Sequence, residues 1–262
     1  MNKLRTEKDS LGERKLPAAA YYGIQTLRAK ENFPISGIPP RREFITATAM
    51  IKMAAAETNS ALGLLSKKKG RAVMKAAAEV ISGKFDREFI VDVYQAGAGT
   101  SHNMNANEVI ANRAAELLRG KKGDHALIHP NDHVNMSQST NDVIPAAMRL
   151  TILMMSNGLL ETLEGLAAGL KKKARSFDRV IKSARTHLQD AVPLRLGQEF
   201  SSYGESVRRS SRGIRSSREN LKTLGIGGTA AGTGLNTHPR YRAMAVKALS
   251  RLSGIKGLKG AG

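Results

Sequence analysis

The sequence predicts a mainly α-helical protein, a mostly helical N-terminal region followed by part of a long-helix bundle. Three observations predict it. Aromatic residues make up only 4% of the chain and tryptophan is absent, while the helix formers Ala, Leu and Met are plentiful. Apolar residues recur at steps of three and four along two long stretches, which is the period of a helix face. Clusters of Ser, Thr, Asn and Gly stand just ahead of helical runs, where caps and close backbone approaches belong.

The elements follow in order. The stretch up to Pro40 carries Pro17, Pro34, Pro39 and Pro40 and is expected as an extended, irregular lead-in. "EFITATAMIKMAAAETNSALGLL", from Glu43 to Leu65, predicts the first helix, and "GRAVMKAAAEVISG" a second, ended by Gly83. A third runs from about Asn103 to Leu118 and stops at Gly120. "HPNDHVNMSQSTNDVIP" is expected as a polar loop, with Asn141 or Asp142 as N-cap of the next helix and Pro145 in its first turn.

Beyond it, Met148, Ile152, Met155, Leu159, Leu163, Leu166 and Leu170 mark one face, while Leu150, Leu153, Met154 and Leu160 mark another. A helix apolar on two sides is expected inside a bundle or oligomer, with Met148 and Met155 as core residues. "SARTHLQDAVPLRLG" reads as a loop leading to a second long pattern: Leu196, Phe200, Tyr203, Val207, Ile214, Leu221 and Leu224. "GIGGTAAGTGLNTHP" breaks that pattern, and a last helix follows from about Arg240 to Leu252. The tail "GIKGLKGAG" has neither apolar period nor cap. These readings divide the chain into residues 1–140 and 141–262, the second part being a bundle that stops before completion.

The absence of cysteine excludes disulfides, thiolate nucleophiles and cysteine metal clusters. The N-terminus lacks the apolar core of a signal peptide, and no unbroken apolar run reaches the roughly 18 residues of a membrane span. A soluble, cytoplasmic protein with no membrane partner is therefore expected. The chain carries 42 Lys+Arg against 22 Asp+Glu, a net charge of +20. Such a charge attracts nucleic acid, anionic membrane or small acidic substrates, and alone does not choose among them. "SVRRSSRGIRSSRENL" suggests an RNA-binding tract, but Val207, Ile214 and Leu221 repeat every seven residues inside it. A helix with a basic outer face explains it better, so nucleic acid is not the expected partner.

Three polar islands concentrate the chemistry: Thr100-Ser101-His102-Asn103, Ser137-Gln138-Ser139-Thr140-Asn141 and Thr186-His187-Leu188-Gln189. None holds a pair of carboxylates or a metal-ligand spacing, and Pro130 argues against a helix joining His129 to His133. No metal site is expected. The islands supply hydroxyls, amides and helix-start N–H groups, donors that suit a carboxylate. Each island singly is also ordinary capping material.

Together with "AYYGIQTLRAKENFPISG", the blocks "GAGTSHNMNANEVIANRA", "HPNDHVNMSQSTNDVIPAA", "RTHLQDAVPLRLGQEF" and "GGTAAGTGLN" closely resemble the aspartase/fumarase superfamily, from about Leu11 to His238. "ENFPISG" and "SQSTND" lean towards the aspartate ammonia-lyase branch. The resemblance implies the L-aspartase-like fold: an N-terminal lyase domain, residues 1–140, and a partial central helical bundle, residues 141–262. It implies a reversible anti elimination of ammonia from L-aspartate to give fumarate, in a homotetramer, with no organic cofactor and room for an activating divalent cation. Fumarate hydratase is the alternative branch, and a noncatalytic truncated scaffold a third reading. By motif, Thr100, Ser139, Thr140, Asn141, Thr186 and His187 would bind substrate, His187 in a supporting catalytic role, with Thr186 and His187 reaching the site from a neighbouring subunit. His129, Asn131 and Asp132 match the segment of a secondary anion site. His102 falls at a position that varies in the family and is expected at the surface or in a cap. The family's mobile loop, GSSxMPxKxNP, carries its serine base and has no match in the sequence. The resemblance thus implies a chain truncated at its C-terminus, lacking the C-terminal domain and the serine loop, which leaves its activity open.

Overall fold

A computed structural model describes residues 3–261, and the first departure from expectation lies in the lead-in. β1 (Leu4–Asp9) and β2 (Gly12–Pro17) form an antiparallel hairpin in which Asp9 faces Gly12. Neither strand alternates apolar and polar residues, so the sequence carries no period-two signal there. The turn is held by Gly12 at φ +105° and by Leu11 N–H donating to Asp9 Oδ1 at 2.9 Å. α1 (Ile24–Asn32) follows, its start satisfied by carboxylates from elsewhere in the chain. Glu108 accepts from the N–H groups of Gly23, Gln25 and Thr26, and Glu7 from that of Ile24. Those are the donors a helix start leaves without intrahelical partners.

α2 (Arg42–Ala61), α3 (Lys67–Ile81) and α4 (Thr100–Leu117) share one core, in which Ile45, Ala49, Val73, Ala77, Val109 and Ile110 are buried. The alanine-rich faces let these helices approach closely. At Gly70 of α3 a Cβ would sit 1.9 Å from Ser60 Oγ, so a side chain there would have to displace the Ser60 hydroxyl at the crossing with α2. α4 begins at Thr100, earlier than the sequence pattern places it, because Gly99 at φ +77° turns the chain directly into the helix.

α5 (Thr140–Ser176) runs for 37 residues, about 55 Å at ~1.5 Å per residue. Its cap is Ser139, two or three positions before the expected Asn141 or Asp142. Ser139 Oγ accepts from Asn141 N–H at 3.2 Å, and Asp142 Oδ1 accepts from Ser139 N–H at 3.0 Å, a reciprocal capping box. Pro145 therefore falls in the second turn rather than the first.

The chain forms two compact units, one made of residues up to Ile152 together with Lys222 onward, the other of Leu153–Leu221. In the second unit the expected loop is a hairpin, β3 (Ile181–Thr186) against β4 (Gln189–Arg195), followed by α6 (Leu196–Leu221). Val207, Ile214 and Leu221 are half-buried along α6, while Arg208, Arg212 and Arg215 are exposed and paired with Glu205 or Glu164. In the first unit, α7 (Tyr241–Ser253) packs on α2 with Tyr241 fully buried. β5 (Thr223–Leu224) pairs in parallel with β6 (Lys259–Gly260), so the tail is an ordered edge rather than patternless chain. Two residues are too few to carry a period; the final Gly262 lies outside the described residues.

The two faces of α5 fare differently. Leu150, Leu153 and Leu160 are buried, whereas Met148 is 53% and Met155 40% exposed, against the expectation that both are core. Their side of the helix is only partly covered among the described residues: Met148 borders an open cleft with Phe44 and Tyr94. An 18-residue window of α5 has a mean hydropathy of 1.5, long and apolar enough to cross a bilayer by composition, yet 44% of it is already buried. The sequence reading, which sought an unbroken apolar run, did not register that window.

Candidate functional site

The first two polar islands meet where α4 and α5 begin. A Cβ at Gly99 would lie 2.9 Å from Ile144, so the two helix starts are in direct contact. Asn103 Nδ2 donates to Thr140 Oγ1 at 3.1 Å and ties them. Thr100 stands exposed at the first position of α4, which has no side-chain cap, while Ser139 and Thr140 are half-buried and Asn141 is exposed. The first island is thus not a cap, whereas in the second Ser139 caps α5.

A buried lysine organises this junction. Lys52 of α2 is 0% exposed, and its Nζ donates to Asn103 Oδ1 at 2.6 Å, Asn135 Oδ1 at 2.7 Å and Gln138 Oε1 at 3.0 Å. An ammonium has three N–H donors, and each is used. Burial pushes its pKa down to about 7, with the Asp142 charge opposing that fall. The sequence reading missed Lys52 because it sits in an alanine-rich helix. The available signal is a polar stripe at helical spacing: Thr48, Lys52 and Asn59 lie four and seven apart and are all buried. Asn59 holds the loop above, donating to Met136 O at 3.0 Å and accepting from Ser137 Oγ at 2.9 Å, where Ser137 has φ +63°.

His102 belongs to the same stripe and corrects an expectation. It is 1% exposed, neither surface residue nor cap, and its ring stacks on Phe44 at 4.5 Å. Thr48 donates its own proton to Phe44 O at 2.8 Å, so it accepts from His102 Nε2–H at 3.0 Å, which assigns the neutral tautomer. Burial, reinforced by the Lys52 charge, lowers the His102 pKa to about 3. The face of α4 towards α2 is polar, so the rule that sends polar residues outward fails there.

The glycine-rich segment after β5 closes the junction from the far end of the unit's sequence. Asp142 Oδ2 accepts from Gly227 N–H at 3.2 Å and Thr229 N–H at 2.9 Å, and Asn141 Nδ2 donates to Ala230 O at 2.9 Å. Burial raises the Asp142 pKa against those hydrogen bonds. Helix-start N–H groups, hydroxyls and amides thus converge in front of a buried cation. Such an arrangement stabilises negative charge on a small carboxylate without solvent rearrangement.

The remaining sequence candidates sit elsewhere. His129 caps, and Asn131 and Asp132 lie on, a π-helical turn, Pro130–Val134, that the sequence reading did not expect because of Pro130; the proline occupies its first position, where no N–H is needed. His129 Nδ1 accepts from the N–H groups of Asn131 and Asp132 at 3.2 and 3.1 Å, and His129 borders a cleft of about 460 Å³ shared with His125, Arg28 and Ser101. Thr186 and His187 belong to the second unit, exposed at the tip of the β3–β4 hairpin, with His187 at φ +48°. Among the described residues, no group of three or more His, Asp or Glu is placed to hold a metal ion.

Comparison with known proteins places this geometry in context. A protein-family model described as "Lyase" matches residues 12–261. The aspartate ammonia-lyase of Bacillus subtilis is 52% identical over 251 residues, covering 96% of this chain and 53% of that protein. The class II fumarate hydratase of Halobacterium salinarum is 54% identical over 252 residues, with the same coverage of both. Among solved structures, a fumarate lyase:delta crystallin from Brucella melitensis bound to cobalt superposes with a TM-score of 0.94 at 47% identity, covering 99% of this chain and 57% of that one. The chain spans about half the length of the curated relatives it matches.

Proposed function

The chain belongs to this lyase family, and from that premise we propose that the protein eliminates ammonia from L-aspartate to give fumarate, reversibly. The observation that carries the reading is the junction of the α4 and α5 starts, with Thr100 and Ser139–Thr140–Asn141 in front of buried Lys52. In this elimination a base takes a proton from the carbon beside the side-chain carboxylate. The electron pair moves into that carboxylate, and the resulting dianion collapses to expel ammonia. Thr140, Ser139 and Asn141 hold the side-chain carboxylate and stabilise its developing charge, and Thr100 binds the substrate beside them. Thr186 and His187 reach the same substrate from a second chain. The GSSxMPxKxNP motif to which the resemblance assigns the base does not occur in these residues, so their share is binding and charge stabilisation.

The reading extends to a cytoplasmic homotetramer that needs no organic cofactor, with residues 1–140 as lyase domain and 141–262 as part of the central bundle. His129, Asn131 and Asp132 form a secondary anion site. The 54% identity to a fumarate hydratase favours a second reading, in which water rather than ammonia is eliminated, from malate. The test follows fumarate absorbance with L-aspartate and with L-malate as substrates of the full-length protein. Turnover of aspartate supports the first reading and turnover of malate alone the second; turnover of neither overturns both.

A further inference from the structure

Among the described residues, Lys52 is a buried amine with no carboxylate in ion-pair contact. Its acceptors are three neutral amide oxygens, on Asn103, Asn135 and Gln138. The titratable groups that face it are Asp142 at the head of α5 and His102 in α4. His102 is neutral, and the Asp142 oxygens are taken up by the backbone N–H groups of Ser139, Gly227 and Thr229. Burying an ammonium without a paired anion costs several kcal/mol, and packing alone does not require it at the centre of α2.

We propose that Lys52 is a positioning residue for the dicarboxylate cradle, setting the direction in which the Thr140 hydroxyl donates. An amide has one oxygen and one NH₂ group. Because the Asn103 oxygen faces Lys52, its Nδ2 faces Thr140 and donates to Oγ1 at 3.1 Å. Thr140 Oγ1 is thereby an acceptor on the Asn103 side, and its own proton is directed to a carboxylate oxygen in the cradle. With Lys52 uncharged, the amine keeps two N–H donors for three acceptors. The Asn103 amide is then free to reverse, and Thr140 turns its proton inward and a lone pair towards the substrate. The ammonium also places a positive charge behind the cradle, one amide away from Thr140. The inference rests on the reading of Thr140 as a substrate contact.

Fumarate binding by the full chain tests it, measured by calorimetry between pH 6 and pH 9.5, alongside NMR titration of the Lys52 side chain with and without saturating fumarate. The expected result is affinity that falls by about tenfold per pH unit above the Lys52 midpoint, and a midpoint that rises on saturation, as linkage requires. Lys52→Met is expected to lower affinity by about tenfold or more at pH 6 and to flatten the pH profile, which a merely structural role would not do. If that variant does not fold, the wild-type titration decides alone. Fumarate binding that is independent of pH, with an unmoved Lys52 midpoint, overturns the inference and leaves the functional reading standing. No fumarate binding at pH 6 overturns the functional reading and the inference with it.

Discussion

Along α4, buried polar side chains serve two different ends. From Glu108 to Glu116 they terminate on scaffold. Glu108 holds the start of α1; Asn112 donates to Tyr21 O and accepts from Gly123 N–H; Arg113 makes a two-pronged pair with Glu79; and Glu116 accepts from the Tyr21 hydroxyl. From Thr100 to Asn103 they divide: Asn103 joins Lys52 to Thr140 at the other helix start, while His102 joins Thr48 within α2. Both halves carry buried, hydrogen-bonded polar side chains. What separates a site from a scaffold is where the chain of contacts ends, and only the first half ends on groups with a donor left to offer.

The sharpest way to break that contrast is at Glu108. Glu108→Ala leaves the N–H groups of Gly23, Gln25 and Thr26 without their acceptor. A buried N–H left without its acceptor costs about 1–3 kcal/mol. Denaturant unfolding should register the full loss, with substrate affinity of the remaining folded protein unchanged. Thr140→Val is the converse experiment. It keeps the shape and deletes the hydroxyl, so turnover should fall by about 10²–10³, roughly 2.7–4 kcal/mol, while unfolding loses no more than about 1–2 kcal/mol, the cost of the one Asn103 N–H left without its acceptor. A large stability loss in Thr140→Val would make the first half of α4 scaffold as well.

Lys52 supplies the third test. Burial holds its ammonium at about 7 against an ordinary 10.5. Between those values the unfolded chain binds more proton than the folded one, so this group makes stability rise with pH, by at most about 1.4 kcal/mol per unit. Below about 7 the buried charge exerts its full cost, and above 10.5 the gain is complete. The component should vanish from the difference between wild type and Lys52→Met. A site residue that weakens the fold at the pH where it binds best would place Lys52 with function rather than scaffold.

The legibility of the sequence follows the same division. α5 and α6 announce themselves through apolar period, and α2 and α3 through alanine-rich runs. The hairpin β1–β2 does not, because charged side chains line both strands and its stability comes from Arg5, Glu7 and Leu16 reaching other elements. The donors at Thr100 and Ser139–Asn141 were readable as helix-start chemistry. Lys52 and His102 were not, because their partners come from helices distant in sequence. A lysine among alanines looks like solvent-facing charge until Asn103, Asn135 and Gln138 are brought around it. Met148 and Met155 failed for the opposite reason: their period is right, but their side of α5 is only partly covered among the described residues.

The smallest expected effect lies at the hairpin tip of the second unit, where the polar candidates have no such network. His187 and Leu188 adopt φ +48° and +63°, and Leu188 is 91% exposed, so packing does not hold either residue in place. Turns of this kind favour Asn and Gly, and the left-handed region costs a residue with a Cβ about 1–2 kcal/mol. Leu188→Gly should therefore stabilise the second unit by about 1 kcal/mol, less the backbone entropy glycine loses on folding. Denaturant unfolding measures that gain, and turnover of the full-length protein supplies the second readout. A gain in stability with lower turnover would tie the strain to the placement of Thr186 and His187. A gain in both would make the tip an ordinary turn with an unfavourable residue. A loss of stability would mean that Leu188 has a packing partner in the assembled protein. Strain kept at an exposed tip and charge kept in a buried stripe are then the same kind of clue, because each costs stability that the local fold does not recover.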